Sequence, residues 1–131
     1  MAQHEIEVIL TRELAAHLAM AIFLVDPDGR LIFYNEPAEA LLGTRFEETG
    51  PMEIEDWASV FDPRDAEGEL LAPEALPLVI TLRDVRPTHG RFSIRGLDGT
   101  RRQLEVTAIP LLGQGGRLPG AAAIFWEAGP S

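Results

Sequence analysis

Cysteine is absent from the 131 residues, which excludes disulfides, thiolate metal sites, iron–sulfur ligation, a cysteine nucleophile and any chromophore attached through sulfur. Lysine is absent as well. All 11 basic residues are arginine against 21 acids, and a net charge of −10 opposes an anionic polymer or an anionic bilayer as partner, so neither nucleic acid nor membrane binding is expected. No apolar run of about 18 residues occurs, and Met1 to Thr11 lacks a basic segment followed by a short apolar one, so no membrane span or secretory leader is read and the cytoplasm is the default compartment. What remains is a chain of single-domain length, 46% apolar and 24% charged, sufficient to bury a packed core. Its charge is uneven: residues 1–82 hold four arginines and 17 acids, whereas residues 83–117 hold seven arginines and three acids.

Ile6, Ile9, Leu10, Leu14 and Leu18 recur at helical spacing among Glu5, Glu7, Arg12 and Glu13, which predicts an amphipathic N-terminal helix within residues 1–20. Ala21-Ile-Phe-Leu-Val25 and Leu31-Ile-Phe-Tyr34 are runs of strand formers joined by the tight turn Asp26-Pro-Asp-Gly29, a hairpin. Asn35 is a strong helix N-cap, and Pro37 to Leu42 with Gly43 beyond reads as a short helix with its stop. From Thr44 to Pro73 the pattern breaks into loops and single helical turns around Trp57, Val60 and Phe61. The regular part of the next helix opens at Pro77, because a proline deeper inside a helix removes a hydrogen bond and clashes with the preceding turn.

The final third alternates as strands. A three-residue loop Leu97-Asp98-Gly99, with Gly99 left-handed, sets Phe92 opposite Leu104, Ile94 opposite Arg102, Ser93 opposite Gln103 and Arg91 opposite Glu105; a two-residue loop would set Phe92 against Glu105. Gly113-Gln-Gly-Gly116 is a hairpin turn, and Leu118 to Trp126 is the last apolar strand. The order is α+β, with five antiparallel strands split two and three around a helical middle.

In that order the sequence resembles the PAS domain family over roughly residues 12–127. The carriers are Ala21 to Gly43, similar to the family's first hairpin, its Asn and the helix ending in Gly; Leu76-Pro-Leu-Val-Ile-Thr-Leu82, like the helix beside the sheet; and Leu97-Asp-Gly-Thr100 with Leu104-Glu-Val-Thr-Ala-Ile-Pro110, like its central hairpin. The resemblance implies a PAS-like five-stranded antiparallel sheet with helices on one face and an N-terminal flanking helix. The expected layout is the helix at 1–20, the PAS-like domain at 21–127 and a tail at 128–131. It also implies a cytoplasmic sensor module of bacterial signal transduction that binds a small molecule in an internal pocket, dimerises, and relays occupancy to a signalling partner or an output domain outside this sequence. The family's closing Asp-x-Thr step is replaced here by Glu127-Ala128-Gly129, so a continuous output helix is not expected.

The chemical candidates are few. A haem sensor of this family carries its axial histidine on the helix beside the sheet, and Pro73 to Leu82 has none; His89 reads as a surface residue of the Pro87-Thr-His-Gly90 turn, and His4 and His17 as residues of the N-terminal helix. Light-oxygen-voltage flavin chemistry of the usual form needs a cysteine. Nine carboxylates lie between Glu47 and Glu69, but Asp65-Ala-Glu-Gly-Glu69 lacks calcium-loop spacing, so they read as a solvated acidic face and no metal is expected. Neither Ser59 nor Ser93 sits in a nucleophile elbow, and no catalytic residue is assigned. The residues expected near the pocket are Phe33, Trp57, Phe61, Phe92, Ile94, Leu104, Val106 and Trp126, although an apolar residue at such spacing is more often plain core than ligand contact; the cofactor is unspecified. Arg91, Ser93 and Arg95 are expected to face solvent or a partner. The stripe Ile6, Ile9, Leu10, Leu14 and Leu18 must be buried either on its own sheet or against a second copy, and a homodimer through it is expected. The rival readings are a ligand-free interaction module with a filled core, and a small α+β enzyme, which needs a buried polar cluster.

Overall fold

The computed structural model describes residues 6–128; the predicted helical residues 1–5, with His4, and the tail from Gly129 lie outside them. The elements in chain order are α1 (Ile6–Ala15), β1 (Ala21–Val25), β2 (Leu31–Tyr34), α2 (Glu36–Leu42), α3 (Phe46–Thr49), α4 (Ile54–Val60), α5 (Pro77–Asp84), β3 (Thr88–Arg95), β4 (Arg101–Leu111) and β5 (Gly120–Glu127). The strands form one antiparallel sheet in the order β2-β1-β5-β4-β3. The β3–β4 hairpin has the register its alternation dictates, with Phe92 opposite Leu104 and Ile94 opposite Arg102, closed by Leu97-Asp98-Gly99 with Gly99 at φ +86°. Helix α5 opens at Pro77.

The sheet has two apolar faces. On the inner one, Ala21, Phe23, Val25, Leu104, Val106, Ala108, Ala121, Ala123 and Phe125 form the main core with Leu42, Trp57, Phe61 and Leu78. On the outer one, Ile22, Leu24, Ile32 and Ala122 receive Val8 and Ala15 of α1. Helix α1 therefore seats its Val8 side on the sheet. Ile6, Ile9, Leu10 and Leu14 remain exposed on the far side, and Leu18, also exposed, falls beyond the helix in the turn that leads to β1. His17 lies in the same turn.

That turn is fixed by one buried side chain. The Asn35 Oδ1 accepts from the backbone N–H of Ile22 (3.0 Å) and of Ala38 (3.2 Å), and its Nδ2 donates to the carbonyls of Ala15 (2.9 Å) and Met20 (2.8 Å). Capping α2 is thus only part of its role: the same amide ends α1 and starts β1. At the other end of α2, Gly43 adopts φ +74° and lies against the β3–β4 loop, where a Cβ would stand 2.6 Å from the Asp98 nitrogen.

Replacing Asn35 by Ala orphans the Ile22 and Ala38 N–H groups and the Met20 carbonyl and leaves the Ala15 carbonyl only its bond from the Leu18 N–H, and is expected to lower unfolding free energy by about 2–4 kcal/mol in urea titration. Asn35→Asp preserves the cap but sets a carboxylate oxygen against the Ala15 and Met20 carbonyls, so it should lose a comparable amount. A variant that matched the parent would mean that the amide donors contribute little.

Candidate functional site

The inner face and the helices leave an apolar cavity of about 80 Å³. Strands supply Phe23, Phe92, Ile94, Leu104, Val106, Ala123 and Phe125; the helical side supplies Leu42, Trp57 and Leu78 together with Phe61, Pro63, Leu76 and Pro77. All of these are buried except Phe92, which is half-buried on edge strand β3 and marks the rim.

Each wall is pinned to backbone. Trp57 donates its indole N–H to the Gly29 carbonyl at 2.7 Å, in the β1–β2 turn where Gly29 takes φ +86°, and its ring meets Phe23 edge-on at 5.3 Å. Tyr34, wholly buried, stacks beyond Phe23 and donates its hydroxyl to the Thr44 carbonyl at 3.1 Å; burial is the main cause raising its pKa above the ordinary phenol value. Helix α5 is held by the fully buried Thr81, whose hydroxyl lies 2.7 Å from that of Thr88, which in turn donates to the Pro77 carbonyl at 2.8 Å.

The third wall runs along the free edge of β3. Arg95 N–H donates to the Phe61 carbonyl at 2.7 Å, and Arg64 and Ser93 exchange a pair of backbone bonds at 2.9 Å. Asp62, at φ +48° between Phe61 and Pro63, receives a bidentate fork from Arg64 (3.0 and 3.1 Å) and a second guanidinium from Arg101, which also donates to the Ser93 hydroxyl at 2.8 Å. This cluster latches the Phe61–Arg64 segment over the cavity rim. Hydrogen bonding from Arg64 is the leading cause holding the Asp62 carboxyl below the usual carboxylate range.

Six of the eight residues expected at the pocket line this cavity: Trp57, Phe61, Phe92, Ile94, Leu104 and Val106. Phe33 and Trp126 do not. In the β1–β2 pairing Leu31 faces Val25 and Phe33 faces Leu24, so Ile32 is an extra, bulged residue; strict alternation from Leu31 would aim Phe33 inward, whereas the bulge sends it outward beneath the Arg12 guanidinium, 4.7 Å from its ring centre. Trp126 follows Phe125 and so points to the outer face, 39% exposed and 6.2 Å from the His89 ring. His89 itself belongs to β3 rather than a turn, with Nδ1 2.8 Å from the Thr107 hydroxyl and Nε2 2.9 Å from Glu105. Ser93 is buried, not solvent-facing, because Arg101 and the latched segment cover it; Arg91 and Arg95 are exposed.

Missed from the sequence were Leu42, Pro63, Leu76, Pro77 and Leu78 on the helical side and, on the strands, Phe23, Ala123 and Phe125, because β1 and the Ala121 to Trp126 stretch of β5 are apolar throughout and alternation cannot tell their faces apart. The β4–β5 register, Val106 opposite Phe125, places Phe125 and Ala123 inward, and the β1–β5 register, Phe23 opposite Ala123, does the same for Phe23. Among the described residues no three His, Asp or Glu side chains converge as a metal site, and no helix is long and apolar enough to cross a membrane.

The latch has a testable pH dependence. A carboxyl whose folded pKa lies below its unfolded value, about 3.9, stabilises at higher pH and loses that contribution as pH falls through the folded value. Amide protection at Arg64, Ser93 and Arg95 is expected to hold from neutral pH into the mildly acidic range and to drop below the ordinary carboxylate range. In Asp62→Asn it should be reduced already at neutral pH, with no further acid step at these amides. Hydrogen exchange followed by two-dimensional NMR gives the comparison, and equal profiles for both proteins would discount the latch.

The sequence model of the PAS domain matches residues 19–126. No curated protein matches the chain. Among solved structures, the PAS domain of a Colwellia psychrerythraea protein superposes with a TM-score of 0.66 at 18% identity, covering 92% of this chain and 97% of that one. The Rhodobacter sphaeroides LOV protein gives 0.72 at 13% identity over 95% and 69%. The light-state dimer of the fungal blue-light photoreceptor Vivid gives 0.65 at 13% identity over 97% of each chain. At these identities the likeness is one of fold.

Proposed function

The chain belongs to the PAS domain family, and from that premise we propose that it is a cytoplasmic sensor module of bacterial signal transduction, which binds a small molecule in the apolar cavity and relays occupancy through a homodimer to a partner or output domain. The observation that carries this reading is the double use of β1 and β5. Their inward residues Phe23, Ala123 and Phe125 wall the cavity, and the intervening Ile22, Leu24 and Ala122 seat α1 on the opposite side. A shift of the cavity wall is thereby transmitted across one sheet thickness to a helix.

That helix presents Ile6, Leu10 and Leu14 at 64, 61 and 60% exposure, with Ile9 beside them. In a two-fold contact between copies of this stripe each residue occurs twice, once from each protomer. Leu18 is carried into the same proposal as a peripheral contact, since it lies past the end of α1. The domain is proposed as residues 21–127 with the helix as its coupling arm. The reading is sensory rather than catalytic.

A second reading, a ligand-free interaction module, draws on the modest size of the cavity, about 80 Å³ in a core otherwise filled by its own side chains. The two readings share the dimer and differ in the cavity.

Light scattering and native mass spectrometry are expected to give a dimer. Leu10→Asp with Leu14→Asp should weaken it by at least about a hundredfold, since each buried leucine contributes about 1.5–3 kcal/mol, while the circular dichroism spectrum stays that of the parent. A parent protein that is monomeric at high concentration would remove the dimer from the proposal.

A further inference from the structure

Resting on the reading of the cavity as a ligand site, we infer that its ligand is a small, neutral, wholly apolar molecule, a dissolved nonpolar gas or a hydrocarbon of a few carbons, and that it enters beside Phe92 under the Asp62-latched segment. The first ground is the donor and acceptor inventory. No lining residue is charged, and the nearby side-chain polar atoms are engaged elsewhere: the Trp57 N–H by Gly29, the Tyr34 hydroxyl by Thr44, the Ser93 hydroxyl by Arg101, and the Thr81 and Thr88 hydroxyls by each other and by the Pro77 carbonyl. A carboxylate, a phosphate or an isoalloxazine ring would surrender its hydration and receive no hydrogen bond in return, which is strongly unfavourable.

The second ground is size. Cavities of about 150 Å³ lined by aliphatic and aromatic side chains stay dry and accept benzene or xenon, whereas sites for drug-sized molecules occupy about 300–1,000 Å³. At about 80 Å³ this space takes something smaller than benzene and excludes a flavin or a haem. The third ground is preformation. Trp57, α5 and the Phe61–Arg64 segment are each tied to backbone or to an ion pair without help from a ligand, so binding need not order the walls. Phe92, half-buried on an edge strand, is the lining side chain that borders solvent, and Pro63 of the latched segment belongs to the same lining.

Xenon is the probe. Methyl carbon–proton spectra of the whole chain recorded against xenon pressure should show saturable shifts at Leu78, Ile94, Leu104 and Val106, with Ile9 and Leu10 on α1 unmoved. Ala123→Leu, which fills the space, should abolish those shifts; if that variant does not fold, Val106→Ile, one methyl larger, should weaken them at least severalfold. Asp62→Asn should speed xenon exchange at the same methyls. Absence of saturable shifts in the parent, or shifts that persist in the filled variant, would overturn the inference. Native mass spectrometry of the purified protein separates this from failure of the sensor reading: a retained polar or flavin-sized ligand would overturn the apolar assignment and leave the sensor standing. If neither xenon nor any retained molecule is detected, both fall and the ligand-free module takes their place.

Discussion

A buried primary amide brings two N–H donors and a carbonyl with two acceptor positions into a place where water cannot serve them, and each left unmet is costly. Asn35 meets all four with backbone groups from three elements: the end of α1 and the turn after it, the start of β1, and the first turn of α2. No other short side chain offers donors and acceptors in that arrangement. Serine or aspartate could cap α2 but could not also hold the Ala15 and Met20 carbonyls. The direction in which α1 leaves the sheet, and so the face it turns outward, depends on this one side chain.

Around that corner the sheet works as a thin partition. Ala121, Ala122 and Ala123 run along the middle of β5, pointing alternately to the main core and to α1. Small side chains let the helix approach closely on one face and leave room on the other. The cavity is a consequence of this economy of bulk at Ala123, opposite the large rings of Trp57 and Phe61.

The two halves of the chain are joined at the far end of α2. The Leu97 N–H donates to the Leu42 carbonyl at 2.8 Å and Arg102 reaches the Leu41 carbonyl at 3.0 Å, while Gly43 gives the β3–β4 loop its space. The unequal charge of the sequence finds part of its place here and at the latch: Asp62 of the acidic portion gathers Arg64 and Arg101, and Arg102 bridges Asp98. One acid from before residue 82, Asp62, and one arginine from after it, Arg101, meet at the cavity rim, which helps the Phe61–Arg64 segment cover an otherwise bare strand edge.

Much of this was legible in local chemistry. The amphipathic helix, the Asn35 cap, the start of α5 at Pro77 and the β3–β4 register follow from spacing, fixed proline geometry and a glycine at positive φ, all of which act over a few residues. Polar and apolar residues alternate in β4, so Leu104 and Val106 could be aimed correctly from sequence. Where both faces are apolar, as in β2 and β5, alternation carries no information, and the bulge at Ile32 reversed Phe33 while the β4–β5 register placed Phe125 rather than Trp126 inside. Which elements form, and in what order, is written in caps, turns and periodicity, all of which are local. Which residues enclose the cavity, why Ser93 is buried and which face of α1 stays bare are set by the meeting of segments far apart in the chain, and so emerge only on folding.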